Sequence, residues 1–107
     1  GECVTLSTMQ TAIPPLDYSL SQNYPNPFNP STIIGYFLPE ESYVSINIYD
    51  LNGHKVKSLT EGPLSAGSHS AQWDATNDLG EIVSAGMYLF RLKTNQFNET
   101  IKMLFLK

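Results

Sequence analysis

The sequence contains little cysteine, little positive charge and no long hydrophobic segment. Cys3 is the only cysteine among 107 residues, so no disulfide can form within the chain, and a cysteine-based metal site is not expected. No apolar run approaches the roughly 20 residues that a transmembrane helix needs. Six basic and ten acidic residues give a net charge of −4, which argues against nucleic acid as a partner because phosphate neutralisation needs clustered lysine and arginine.

The usual catalytic motifs are also missing. No serine lies in a Gly-x-Ser-x-Gly elbow, and no Gly-x-x-x-x-Gly-Lys loop is present to bind phosphate. His54 and His69 have no cysteine or paired acids around them, so we interpret both as solvated or structural side chains rather than general bases. The sequence therefore predicts a protein that is not an enzyme and needs no cofactor.

Short β-forming runs separated by turn residues occupy the chain from Tyr18 onward. The clearest is 42–50, where Val44, Ile46 and Ile48 alternate with polar residues. Similar runs lie at 31–38, 54–59, 68–74, 87–94 and 99–107. This spacing predicts an all-β fold, an antiparallel Ig-like or Greek-key β-sandwich of about seven strands over residues 18–107.

Residues 1–17 have a different texture, with no sustained periodicity and a Pro14-Pro15 pair. We interpret them as a linker or as the tail of an upstream domain. Because the chain begins with Gly1 rather than Met, we expect it to be a fragment or a processed product without a signal peptide of its own.

The segment "QNYPNPFNPST" (22–32) contains three prolines, Pro25, Pro27 and Pro30. Each proline removes a backbone donor and fixes φ, so neither a helix nor a central strand can form there. The residues alone leave three interpretations: a linker, a ligand for a proline-binding domain, or the first ordered corner of the domain.

Acidic residues in the loops raise the question of calcium. The four are Asp50, Asp74, Asp78 and Glu81, and calcium prefers oxygen-rich loops. Asp50 and Asp78, however, precede Gly53 and Gly80 at turn spacing, where an aspartate typically accepts a hydrogen bond from the backbone two residues on. We therefore expect turn capping, with calcium as the alternative.

Two further motifs could involve sugars. "Asn98-Glu99-Thr100" matches the N-glycosylation pattern, although a three-residue match is weakly specific. Trp73 is the only tryptophan and could stack on a carbohydrate, but a lone tryptophan at the end of a strand is more often the central packing residue of a small sandwich.

Several turn and strand motifs recur in a recognisable order. They are "YPNPFNP" (24–30), "YDLNG" (49–53), "AGSH" (66–69), "WD" (73–74), "SAGMY" (84–88) and "IKMLFLK" (101–107), with Pro25, Asn26, Pro27, Gly53, Gly67, Trp73, Asp74, Gly86 and Tyr88 as the defining residues. Over residues 18–107 this combination resembles the type A C-terminal sorting domains of the type IX (Por) secretion system of Bacteroidetes and related bacteria. Those domains are related to the Ig-like domain of flagellar-hook-capping proteins.

The resemblance implies a β-sandwich that directs a larger upstream cargo from the periplasm through the outer membrane to the cell surface or medium. The implied partners are the outer-membrane translocon and a sorting protease, which would cut before Tyr18. We expect a partner to recognise the last hairpin, 87–107, by pairing with its edge strand, with Lys102 and Lys107 as charged contacts. The same lysines could instead simply provide solubility and edge protection.

The resemblance also favours the corner among the three interpretations of the proline segment. Asn26 and Asn29 would bond within turns there, while Tyr24 or Phe28 would pack into the sandwich edge. Two alternatives for the whole domain remain: a structural Ig-like stalk or assembly module, and a carbohydrate-binding module that uses Trp73.

Overall fold

Seven antiparallel strands form two sheets in the computed structural model, which describes residues 17–107. The strands are β1 (Ser19–Leu20), β2 (Thr32–Leu38), β3 (Ser42–Tyr49), β4 (Lys55–Leu64), β5 (Gly67–Trp73), β6 (Gly86–Lys93) and β7 (Asn98–Phe105). One sheet has the order β1-β2-β5 and the other β4-β3-β6-β7. The predicted all-β, Ig-like sandwich is confirmed, and the described part of the chain contains no helix.

The predicted linker, 1–17, lies outside the described residues except for Asp17. No helix among the described residues has the length and apolar character to cross a membrane.

Alternation along the strands places the core between the sheets. In β3, Val44, Ile46 and Ile48 are fully buried, and the residues between them face outward, as the sequence predicted. The other buried apolar residues are Phe28, Ile34, Tyr36, Leu38, Trp73, Ala75, Tyr88, Phe90, Leu92, Met103 and Phe105. One contiguous core therefore takes residues from both sheets and from the proline segment.

Four aromatic rings of this core pack against one another. The ring centroids of Trp73 and Tyr88 lie 5.2 Å apart in an edge-on arrangement, and Phe28 lies 5.7 Å from Trp73 and 5.3 Å from Phe105. The Tyr88 hydroxyl donates a 2.6 Å hydrogen bond to the carbonyl oxygen of Ser84. This bond has the form of the tyrosine corner found in Ig-like sandwiches, where a tyrosine early in a strand bonds to the backbone upstream.

The "DLNG" turn between β3 and β4 is built as predicted. The Asp50 carboxylate oxygen Oδ1 accepts hydrogen bonds from the backbone N–H groups of Asn52 and His54, both at 2.9 Å. Gly53 has a φ of +88°, which a residue with a side chain rarely adopts. The other two motif glycines, Gly67 and Gly86, also have positive φ angles, of +123° and +147°.

β4 is longer than the sequence predicted. We expected a strand at 54–59 and a loop at 61–67, but β4 continues to Leu64 and pairs with β3 up to Ser42. The strand lies at the edge of its sheet, where a proline such as Pro63 is tolerated. β1 was not predicted, because two residues are too few to show a periodic pattern.

Candidate functional site

The proline segment packs along the outer edge of β7. The Phe28 side chain is 1% exposed, while Tyr24 is 80% exposed. The Phe28 N–H donates to the carbonyl oxygen of Leu104 at 3.0 Å, and the Leu106 N–H donates to the Phe28 carbonyl oxygen at 3.1 Å. Phe28 thus forms a short parallel bridge beside Phe105, so the segment is an ordered corner of the domain.

Asparagine side chains hold this corner, but not all in the expected way. Instead of bonding within a local turn, the Asn26 oxygen Oδ1 accepts a 3.1 Å hydrogen bond from the Leu104 N–H. Asn23, which the sequence did not single out, is buried and donates from Nδ2 to the Pro25 carbonyl oxygen and to the Thr32 hydroxyl. The peptide bonds before all three prolines of the segment are cis.

The corner leaves only part of the β7 edge available. Backbone groups of Leu104 are taken by Asn26 and Phe28, and the Lys102 carbonyl oxygen accepts a 2.7 Å hydrogen bond from the Gln22 amide. Because alternate residues of a strand direct their backbone groups to the same side, the remaining outward edge lies at Asn98 and Thr100. A partner strand that pairs with β7 would start there rather than at the C-terminus.

Both lysines of the predicted recognition site are exposed, but they lie in different settings. Lys102 lies within β7, opposite Leu89 of β6, on the outward face of the four-stranded sheet. Lys107 follows the strand at the end of the chain. Any surface that includes Lys102 therefore also includes its neighbours on that sheet face.

A shallow groove crosses the same outward face. It has a volume of about 400 Å³ and is lined by Tyr49, Gly53, Leu89, Arg91, Asn98 and Thr100. Tyr49 pairs with Leu89 across β3 and β6, and Arg91 donates from Nε to the Asn98 side-chain oxygen at 3.0 Å. This groove cannot be predicted from the sequence, because strand register is needed to bring residues 49, 89 and 100 together.

Of the four loop acids, Asp50 and Asp78 accept hydrogen bonds from backbone N–H groups, whereas Asp74 and Glu81 accept from the side chains of Thr76 and Asn77. The Asp78 oxygen Oδ1 accepts from the Ser58 N–H of β4 at 3.0 Å, and the Asp78 N–H donates to the Val56 carbonyl oxygen. The prediction that Asp78 caps its own turn was wrong, since Asn77 accepts from the N–H groups of Leu79 and Glu81 instead. Within residues 17–107, no three carboxylate, imidazole or thiol groups are close enough to hold a metal ion.

Trp73 packs in the core, as predicted from its position at the end of a strand. The side chain is 1% exposed, and its indole N–H donates to the Thr76 carbonyl oxygen at 2.9 Å. The neighbouring Asp74 carboxylate accepts from the Thr76 hydroxyl, so the Trp-Asp pair fixes the turn after β5. A carbohydrate cannot stack on this ring, and the carbohydrate-binding alternative based on Trp73 was wrong.

The two histidines lie apart from each other. His54 is exposed, with Nδ1 3.7 Å from an Asp50 carboxylate oxygen. His69 stacks on Tyr36 at 5.5 Å, and its Nε2 lies 2.8 Å from the Ser65 carbonyl oxygen.

Clear pKa shifts occur at three tyrosines. Burial raises the pKa of Tyr36, and burial together with the negative charge of Asp50 raises that of Tyr88. The Glu61 carboxylate raises the pKa of Tyr43 through its charge and through a hydrogen bond. All three shifts favour the neutral phenol.

Comparison with known families agrees with this geometry. A family model described as the FlgD Ig-like domain matches residues 30–97. The chain belongs to the FlgD Ig-like domain family. No curated protein sequence matches it significantly.

Three solved structures illustrate what this FlgD Ig-like domain is similar to. FlgD from P. aeruginosa is 31% identical with a TM-score of 0.55, over 69% of this chain and 57% of that protein. Dimeric latent PorU from Porphyromonas gingivalis is 24% identical with a TM-score of 0.64, over 89% of this chain and 10% of PorU. PorZ, a surface component of the type IX secretion system of the same bacterium, is 20% identical with a TM-score of 0.57, over 80% of this chain and 11% of PorZ.

The matched residues leave out two parts of this domain. Residues 17–29, which contain β1 and the corner at 22–29, precede the family match, and β7 follows it. The corner and β7 pair with each other, through Phe28 and Leu104. The chain also spans only about a tenth of PorU and of PorZ, so the likeness to those two proteins concerns the fold of one domain.

Proposed function

We propose that this domain is a non-catalytic C-terminal sorting domain, which directs a larger exported cargo protein through the outer membrane by type IX secretion. One observation carries the proposal: the motif residues at the two ends of the domain form a single unit. Phe28 of "YPNPFNP" is buried against Phe105 of the last strand and shares two backbone hydrogen bonds with Leu104 and Leu106. The fold likeness to PorZ, a type IX component, is consistent with this proposal.

In this proposal the domain is a sorting signal that a partner recognises as a folded surface. Recognition then depends on shape, on exposed backbone edges and on charge, and it needs no side chain with a shifted pKa. The exposed Lys102 and Lys107 and the open β7 edge at Asn98 and Thr100 are the contacts we assign to the outer-membrane translocon. A sorting protease would cut before Tyr18, leaving the cargo for surface attachment.

The proposal is tested by exporting a fluorescent reporter, carrying a signal peptide and fused to residues 1–107, in a host with a type IX system. Deleting only 99–107 would be a poor comparison, because Met103 and Phe105 are core residues and their loss would unfold the domain. The matched control is the reporter with the whole domain removed. We expect surface or extracellular reporter only with the domain, and periplasmic reporter in both cases would contradict the proposal.

A structural Ig-like stalk or assembly module is the second candidate. The observation in its favour is family membership together with the 31% identity to FlgD from P. aeruginosa. Such a module would leave reporter export unchanged when it is removed, but it would bind its parent protein or neighbouring subunits. Size-exclusion chromatography of the parent with and without residues 17–107 would detect that association.

A further inference from the structure

Basic residues of this acidic chain are concentrated on one sheet face. The outward-facing strand residues of the four-stranded sheet include Lys55, Arg91, Lys93 and Lys102, which are four of the six lysines and arginines in the whole sequence. Glu61 is the one carboxylate among them. The other eight acidic residues among 17–107 are not outward-facing strand residues of this sheet, in a chain whose net charge is −4.

These four cations have no carboxylate partner among residues 17–107. The salt bridge found in that range joins His54 and Asp50, in the turn whose Gly53 lines the groove. Arg91 is held by the neutral side chain of Asn98. Glu61 accepts hydrogen bonds from the hydroxyls of Tyr43 and Ser45 at 3.2 Å, so its oxygens are engaged at the far edge of the sheet. No salt bridge within residues 17–107 therefore neutralises the positive charge of this face.

Apolar side chains lie between the cations. Tyr49 and Leu89 form one cross-strand pair in the groove, and Met87 pairs with Leu104 beside it. Met87 is 40% exposed. Lys55 and Lys102 lie at the two ends of the row that passes through Tyr49 and Leu89, about 14 Å apart at the usual strand spacing.

We infer that this face, with Arg91 and Lys102 beside the Tyr49–Leu89 groove, docks onto an acidic protein surface that has an apolar centre. The inference rests on the proposed sorting function. It adds that the partner that recognises the last hairpin carries negative charge. An apolar centre with a charged rim is the usual arrangement of a protein–protein interface. Nucleic acid fits less well, because the cations are separated by apolar and hydroxyl side chains and the rest of the chain would repel a polyanion.

The test uses the full reporter fusion with a photo-cross-linking amino acid at Thr100, in the groove. The control position is Ser70, which is exposed on the outward face of the other sheet. Cross-linking is measured in the periplasmic and surface fractions separately from export. Export is judged on the unsubstituted fusion, so its failure there refutes the sorting function, while the adducts alone decide the docking inference.

Arg91→Gln combined with Lys102→Gln removes two positive charges from the face. The matched control, Ser68→Glu combined with Gln72→Glu, makes the same change in net charge at exposed positions of the three-stranded sheet. We expect a protein adduct at Thr100 but not at Ser70, mapping to a peptide rich in Asp and Glu. Its yield should fall roughly two- to thirtyfold in the double Gln variant, because two exposed charge pairs are lost, and should stay unchanged in the control.

Several results would overturn the inference. They are equal adducts at Thr100 and Ser70, an adduct to a second copy of this chain, an adduct to lipid or polysaccharide, and a yield unaffected by the double Gln variant. Circular dichroism and thermal unfolding of both double variants would establish that each remains folded.

Discussion

Replacing Phe28 by alanine tests whether the proline segment belongs to the fold. The Phe28 ring is buried against Trp73 and Phe105, and no local strand or helix holds it in place. Truncating a buried phenylalanine typically costs about 3–5 kcal/mol, from lost apolar burial and from the cavity that remains. A domain of this size has a total stability of roughly 5–14 kcal/mol, so the variant should lose a large part of it.

Urea unfolding of residues 17–107 measures this loss, and alanine retains the backbone bonds of position 28 to Leu104 and Leu106. We expect the midpoint to fall by at least about 1 M urea, and the melting temperature by at least about 12 °C. Tyr24→Ala, at an 80% exposed position of the same segment, should change stability by no more than about 0.5 kcal/mol. Equal effects of the two substitutions would refute the claim that the proline segment is an ordered part of the domain. So would a decrease in the free energy of unfolding below about 1 kcal/mol for Phe28→Ala.

Three further predictions concern the aromatic core. Tyr88→Phe removes the hydrogen bond to the Ser84 carbonyl and should lower the free energy of unfolding by about 1 kcal/mol in urea titrations. Trp73 fluorescence in the native state should resist iodide quenching and become quenchable only in denaturant, whereas quenching of the folded protein would mean an exposed ring. Burial raises the pKa of Tyr36 above 10.0, so the folded state keeps its proton where the unfolded chain loses it. Stability should therefore fall as the pH rises above about 10, and Tyr36→Phe should reduce that fall; an unchanged pH dependence in that variant would contradict the prediction.

The sequence was most informative where one face of a strand is buried. The alternation in β3 predicted the buried Val44, Ile46 and Ile48 because a sheet covered on one face directs alternate side chains of its strands into the core. The Asn-Gly turn at 52–53 was equally clear, since its conformation favours those residue types. Both features depend on local chemistry that a single sequence contains.

Long-range partners could not be predicted in the same way. Asn26 bonds to Leu104, 78 positions away, and Asp78 bonds to Ser58 of β4. A local turn bond was the simplest expectation for each, because the sequence does not show which strand edge a loop will cover. The basic sheet face was missed for a similar reason: Lys55, Arg91 and Lys102 become neighbours only through strand register.

A domain exchange tests the sorting function most directly. The reporter would carry either residues 1–107 of this chain or the Ig-like domain of FlgD from P. aeruginosa, which has the same fold and 31% identity over the matched part. The measured quantity is the fraction of reporter at the cell surface or in the medium of a type IX host. Our account predicts export with this chain and retention in the periplasm with the FlgD domain. Equal export of both fusions, or retention of both, would contradict it.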